Sequence, residues 1–140
     1  MRGAPAIAIV GCLSLAVEIV NNATFSSKAD FLEFLQTKLD YLVTSRPTAV
    51  NMQKSATEIV ALASNLLADG NIDVATMTGQ LIEFIESMLV KDVADNVAIG
   101  QYGAADILAK TGKTRVKVLT HCNTGENIYF KKILIYNIIF

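Results

Sequence analysis

The residues best suited to chemistry stand late in the chain, in Thr120-His121-Cys122-Asn123-Thr124-Gly125. This cluster holds the only histidine and one of the two cysteines. It follows Val116-Lys117-Val118-Leu119, whose β-branched and apolar residues read as a strand. A strand that ends in small polar residues and glycine is where open α/β sheets set their ligands, beyond the carboxyl ends of the strands. A cysteine placed there works as a thiolate when a helix N-terminus or an arginine lies near it. The alternative for Cys122 is a small, inert, buried residue.

Two other positions share one design. In Arg2-Gly3-Ala4-Pro5-Ala6, and again in Ser45-Arg46-Pro47-Thr48-Ala49-Val50-Asn51, an arginine precedes a proline that is expected to open a helix. Helix N-termini carry free N–H groups and a partial positive charge, which suit phosphate or carboxylate. An arginine beside such an end adds a forked donor that fits phosphate oxygens. Gly3 leaves the backbone free to turn or to approach a ligand. One such site alone is a well-capped helix with a surface arginine, whereas two in one small chain favour an anion grip.

Stepping outward to the whole chain, 140 residues suit one domain. The composition is 52% hydrophobic and 18% charged, enough for a core and for surfaces meant to be covered. A net charge of −1, with no basic cluster and no tryptophan, gives no pull toward nucleic acid or an anionic membrane. Two distant cysteines make neither a disulfide framework nor a metal spacing. A reducing, intracellular setting is the simplest fit. The apolar run from Ala4 to Val17 after Met1-Arg2 mimics a secretion signal but lacks a polar cleavage region. It is also shorter than the roughly 18 apolar residues of a membrane span.

The elements that would hold these residues are mostly helical. Ile7, Val10, Cys12, Leu13, Val17 and Ile19 predict a first helix that is apolar almost all round and buried on most sides, with Cys12 in the core. Ser27 is a candidate N-cap for a second helix, with Asp30 in the capping-box position and Phe31, Leu35, Leu39 and Leu42 on one face. That helix should end near Val43. A third should run from Pro47 to about Leu67, with Val50, Ile59, Leu62, Ala63 and Leu66 on its apolar side. Ala68-Asp69-Gly70-Asn71 stops it. Another pattern starts near Asp73 and carries Met77, Leu81, Ile85, Met88, Leu89 and Val93 at helical spacing. Asn96, Gly100, Gly103 and Ala104 then share a helical face, which suits tight packing. Thr111-Gly112-Lys113-Thr114 is a turn into the strand. After Gly125, Ile128-Tyr129-Phe130 and Ile133 to Phe140 have strong β propensity and low charge.

Four segments together, Arg2 to Ala6, Ser45 to Asn51, Asn96 to Ala104 as N-x-x-I-G-x-x-G-A, and Thr120 to Gly125, resemble the signatures of the methylthioribose-1-phosphate isomerases. Val10-Gly11-Cys12-Leu13-Ser14-Leu15-Ala16-Val17-Glu18 is most similar to the animal forms. The resemblance covers Arg2 to Gly125. It implies a mostly α fold, in which residues 1–112 form a helical N-terminal domain. Residues 113–125 would supply the first strand and catalytic loop of a truncated Rossmann-like α/β domain, and 126–140 a divergent apolar tail.

The activity implied is an aldose–ketose isomerisation of methionine salvage, from 5-methylthioribose 1-phosphate to 5-methylthioribulose 1-phosphate. By position, Arg2, Gly3 and Ala4 match the substrate-binding loop, Arg46 the phosphate-holding arginine, and Cys122 the catalytic cysteine. His121 is assigned an orienting or structural role. The resemblance implies no cofactor, no metal, a sugar-phosphate substrate, a homodimer in the full-length family, no nucleic acid and no membrane. The implied location is cytoplasmic, with the nucleus as a second site. The family has a further segment before its first arginine. It also continues past the His-Cys-Asn-Thr-Gly segment with a helix and the domain that carries its catalytic Asp and an Asn-Lys pair. On that comparison this chain is expected to be a truncated form, inactive alone. The other reading is a non-catalytic regulatory subunit of the translation-initiation guanine-nucleotide exchange factor, which shares the fold.

Overall fold

The computed structural model describes residues 3–22, 24–45, 47–48, 50–113 and 116. They form four helices: α1 (Ala4–Asn22), α2 (Lys28–Thr44), α3 (Val50–Ala68) and α4 (Val74–Thr111). The chain divides into two compact units, Met1–Leu89 and Val90–Phe140, with the division inside α4.

In the first unit α3 packs against both α1 and α2. Its Met52, Ala56, Ile59 and Ala63 are buried at the helical spacing that makes one face. Phe31, Leu35 and Leu39 of α2 meet them, as the sequence period predicts, and Met77, Leu81 and Ile85 of α4 complete the same core. Each of these large side chains contributes on the order of 1.5–3 kcal/mol by leaving water.

α1 departs from expectation. Ala8, Cys12, Leu15, Ala16 and Ile19 face the core, but Val10, Val17 and Val20 are 45%, 60% and 63% exposed. A helix against one wall of a small core buries one stripe, whatever the composition of its other side. Over Ala4–Asn21 the helix is also long and apolar enough to cross a membrane by length and composition. The helix carries the apolar run past Val17, where the sequence pattern ends it, to 18 residues. A core helix and a signal sequence pass the same test, and 33% of that window is buried. Three positions placed on apolar faces are likewise outside the core, since Val50, Leu89 and Val93 are 76%, 49% and 41% exposed.

The helix ends are closed largely by local chemistry. Ser27 sits in extended backbone (φ −155°, ψ 164°), and its Oγ accepts the Asp30 amide at 3.1 Å. Asp73 does the same for α4, accepting the Thr76 amide at 2.8 Å. Hydrogen bonding from the Thr76 side chain, and then from its amide, holds the Asp73 carboxyl below its usual range. At the far end of α4, Gly112 takes φ +61°, and its amide bonds to the Leu108 carbonyl at 3.0 Å. Glycine pays no β-carbon penalty in that left-handed cap. One closure is long-range. The Lys28 ammonium, at the start of α2, donates to the Leu66 carbonyl at 3.2 Å and the Asp69 carbonyl at 2.5 Å, at the end of α3.

In the second unit, Gly100 and Ala104 of α4 are buried, so the small-residue face is the inward one. The Asn96 side-chain amide donates to the Asp92 carbonyl at 2.8 Å. Of the expected strand and catalytic loop at 113–125, only Lys113 and Val116 are described, and Val116 lies in a β-bridge. The rest of that segment, and the tail 126–140, lie outside the described residues. The described residues are therefore mostly helical, and the expected Rossmann-like strand and loop fall on residues outside that description.

Lys28→Met keeps the apolar stem but removes the charge that closes α3. It should cost about 1 kcal/mol, as for a charge-assisted cap at a helix C-terminus. Urea unfolding should show a lower midpoint with an unchanged m-value.

Candidate active site

Gly3 is half-buried and immediately precedes α1, and its carbonyl accepts the Ile7 amide at 3.0 Å. That bond makes it the capping residue of the helix. Ala4 is the first helical residue and is half-buried, and Pro5, which has no amide to lose, is exposed. By helix geometry the amides before Ile7 have no carbonyl one turn back. The start of α1 thus carries unpartnered amides, as a helix start does, and such ends suit anions. Arg2, which stands just before it in the chain, lies outside the described residues.

The second design differs from expectation. Pro47 and Thr48 form an exposed turn, and α3 begins only at Val50. The fixed φ of proline suits the second position of a turn as well as a helix start. Here the chain must reverse within five residues between two helices that pack together, so the turn takes the proline. Arg46 lies outside the described residues, as do His121 and Cys122.

The other cysteine is described, and its environment disqualifies it. Cys12 is fully buried, and desolvation pushes its thiol up from the ordinary 9.0 to about 11. A thiol that stays protonated at neutral pH is neither nucleophile nor proton shuttle. With two cysteines in the chain, any working thiol is Cys122.

A hollow of about 410 Å³ between α1 and α4 is lined by Leu13, Ala16, Val17, Val20, Asn21, Ile82 and Glu86. Its walls are apolar and its one charge is a carboxylate, so it has nothing to hold a phosphate. Among the described residues, no three His, Cys, Asp or Glu side chains gather as a metal would require. One residue escaped the sequence reading. A β-carbon placed on Gly11 would stand 3.2 Å from the sulfur of Met52, in the first turn of α3. Its signal was an isolated glycine inside a helical pattern, which has a packing reason when it persists.

Comparison with known proteins adds the following. A family model described as the initiation factor 2 subunit family matches residues 1–137. Over 133 residues the chain is 54% identical to the methylthioribose-1-phosphate isomerase of Drosophila persimilis, covering 90% of this chain and 36% of that protein. The corresponding protein of Drosophila pseudoobscura pseudoobscura gives the same figures. The chain spans about a third of the length of these curated relatives.

Burial of Cys12 has two measurable outcomes. In a Cys122→Ser chain, a thiol reagent at pH 8 should label nothing until denaturant is added. Stability should also fall between pH 9 and 11. In that window the unfolded thiol ionises and the folded one does not, so the unfolded state binds fewer protons. Relative to Cys12→Ala, whose own stability lacks this term, the loss should be about 2–3 kcal/mol in urea unfolding followed across that range.

Proposed function

Because the chain belongs to the initiation factor 2 subunit family, we propose that it works within it as a sugar-phosphate isomerase, on 5-methylthioribose 1-phosphate. The observation that carries this reading is the start of α1. There Gly3 caps an anion-suited helix end directly after an arginine, in a chain 54% identical to two methylthioribose-1-phosphate isomerases. In this reading Arg2, Gly3 and Ala4 hold the substrate at that end, and Arg46 grips its phosphate from the link between α2 and α3.

The chemistry takes a proton from C2 and returns one to C1, and it needs an acid to help open a ring locked by its phosphate. A positioned acid or base contributes typically about a hundredfold to ten-thousandfold. Cys122 takes the catalytic role, by its match to the family's catalytic cysteine, and Cys12 is set aside by its burial. It would sit on the loop after the first strand of a Rossmann-like domain at 113–125, following a helical domain at 1–112. The same reading includes homodimers and a cytoplasmic or nuclear setting. The family's description also covers initiation-factor subunits, so a regulatory, non-catalytic subunit is the second reading. The isomerase names of the two relatives favour the first.

Titration of 5-methylthioribose 1-phosphate into the chain, followed by calorimetry, tests the first reading. Saturable binding should weaken by about tenfold to a hundredfold in Arg46→Ala, the worth of a charge-assisted hydrogen bond. It should persist in Cys122→Ser, which removes the chemistry but not the grip. Absence of saturable binding by the unaltered chain would overturn the proposal.

A further inference from the structure

The turn after α3 brings three hydrogen-bond donors to one pair of residues. Asp69-Gly70 is the only Asp-Gly pair in the chain, and Asp69, Gly70 and Asn71 are all exposed. Oδ1 of Asp69 accepts the Asn71 main-chain amide at 2.9 Å and the Asn71 side-chain amide at 3.0 Å. A bond to the amide two residues on folds the carboxyl back over Gly70. Both donors act on one oxygen, where negative charge would gather if a nucleophile added to the carboxyl carbon. From the other side, the Lys28 ammonium donates to the Asp69 main-chain carbonyl at 2.5 Å. That carbonyl and the Gly70 nitrogen belong to one conjugated amide, so the charge at its oxygen makes the Gly70 N–H more acidic. Among the described residues the Gly70 amide has no hydrogen-bond partner. No atom beyond its chain neighbours lies within 4 Å of where a β-carbon on Gly70 would be. The nitrogen is thus both activated and unhindered.

We propose that Asp69-Gly70 is a self-modification site, at which the folded chain converts Asp69 to isoaspartate through a succinimide, assisted by Lys28 and Asn71. The Gly70 nitrogen bonds to the side-chain carbon of Asp69. Its proton and the carboxyl hydroxyl leave together as water, and the ring closes. Water then adds to one of the two ring carbonyls. Addition at the side-chain carbon restores aspartate. Addition at the main-chain carbon breaks its bond to the Gly70 nitrogen, which takes a proton. The chain then runs through the former side chain, and the former main-chain carbonyl is a free carboxylate. Lys28 favours this second opening, because that is the carbonyl it polarises. The new carboxylate arises beside the ammonium, so an ion pair replaces a hydrogen bond to a neutral oxygen. The main chain between α3 and α4 gains one carbon. None of this depends on the function proposed above.

The experiment holds the whole chain at neutral pH for several weeks, folded and in urea. Samples are digested with a protease that cuts before aspartate but not before isoaspartate. Mass spectrometry reads the uncut fraction at position 69, and an isoaspartyl methyltransferase marks the same peptide with a methyl group. In the folded chain the isomer should gather at Asp69 and not at Asp95, whose neighbouring amide, that of Asn96, lies inside α4. Lys28→Met should slow the reaction by about fivefold, the net worth of one hydrogen bond. In urea the variant and the unaltered chain should react at one rate, since positions 28 and 69 no longer meet. A thermal melt establishes that each variant is folded. Where Lys28→Met is not, Asn71→Ala serves, and loss of one donor to Oδ1 should slow the reaction by about threefold. Absence of the isomer at Asp69 in the folded chain overturns the proposal. So does a folded variant that reacts as fast as the unaltered chain, or one whose deficit persists in urea.

Discussion

At Gly11 three helices meet closely, and a β-carbon there would stand 3.2 Å from the Met52 sulfur and 3.8 Å from a Leu42 methyl. Met52 of α3 and Leu42 of α2 close over the backbone of α1 there, and the rest of the first unit is arranged to keep that approach. α3 touches both of its neighbours and buries Met52, Ala56, Ile59 and Ala63 between them. The two alanines matter as much as the larger residues, because short side chains let helix axes come near. Burial without the close approach would leave unfilled space, and unfilled space forfeits dispersion contacts.

Polar groups close the end of α2 locally and tie its start to the end of α3. At one end Ser45 folds back on the Leu42 carbonyl through its amide and its hydroxyl. At the other, Lys28 reaches from the first residue of α2 to the Leu66 and Asp69 carbonyls. The last carbonyls of a helix have no intrahelical donor and carry partial negative charge, so an ammonium satisfies both needs. The Glu18–Lys38 pair joins α1 to α2 at 2.5 Å, but both side chains are over a third exposed, so it contributes little beside the core.

What was legible in the sequence was what neighbouring residues decide among themselves. Ser27, Asp73 and Gly112 act within one turn of their own positions, and the helices begin and end by them. Phe31, Leu35 and Leu39 lie in the core because a helical period needs no knowledge of the partner to reveal a face. The outer side of α1 was not legible. Val10 and Val17 are as apolar as Leu15, and only the position of the other helices decides which of them is covered. Pro47 was misplaced for a related reason. Its fixed φ serves a turn or a helix start equally, and the reversal between α2 and α3 decides between them. Lys28 left no local trace, since its acceptors are 38 and 41 residues away. Of the candidate site, Gly3 and Ala4 lie at the start of α1. Arg2, Arg46 and Cys122 rest on the pattern itself and on the family to which the chain belongs.

A core this close-packed bears on how an anion grip can be built from helices. A helix end binds an anion through backbone amides, whose direction is fixed by the helix axis and not by a rotamer. Its accuracy is therefore that of the packing beneath it. Loops could bring two arginines to the same phosphate, but each would be ordered at binding, and that ordering subtracts from affinity. Here the start of α1 is continuous with its buried stripe at Ala8 and Cys12, and the link before α3 is clamped within three residues of its end by Met52. The hydrophobic contacts that stabilise the helices thus also fix the direction of the amides at the start of α1. On that account the burial of Cys12 follows from the same requirement. The stripe that orients α1 has to be dry and filled, and a thiol kept protonated at neutral pH fills it as a small apolar group would.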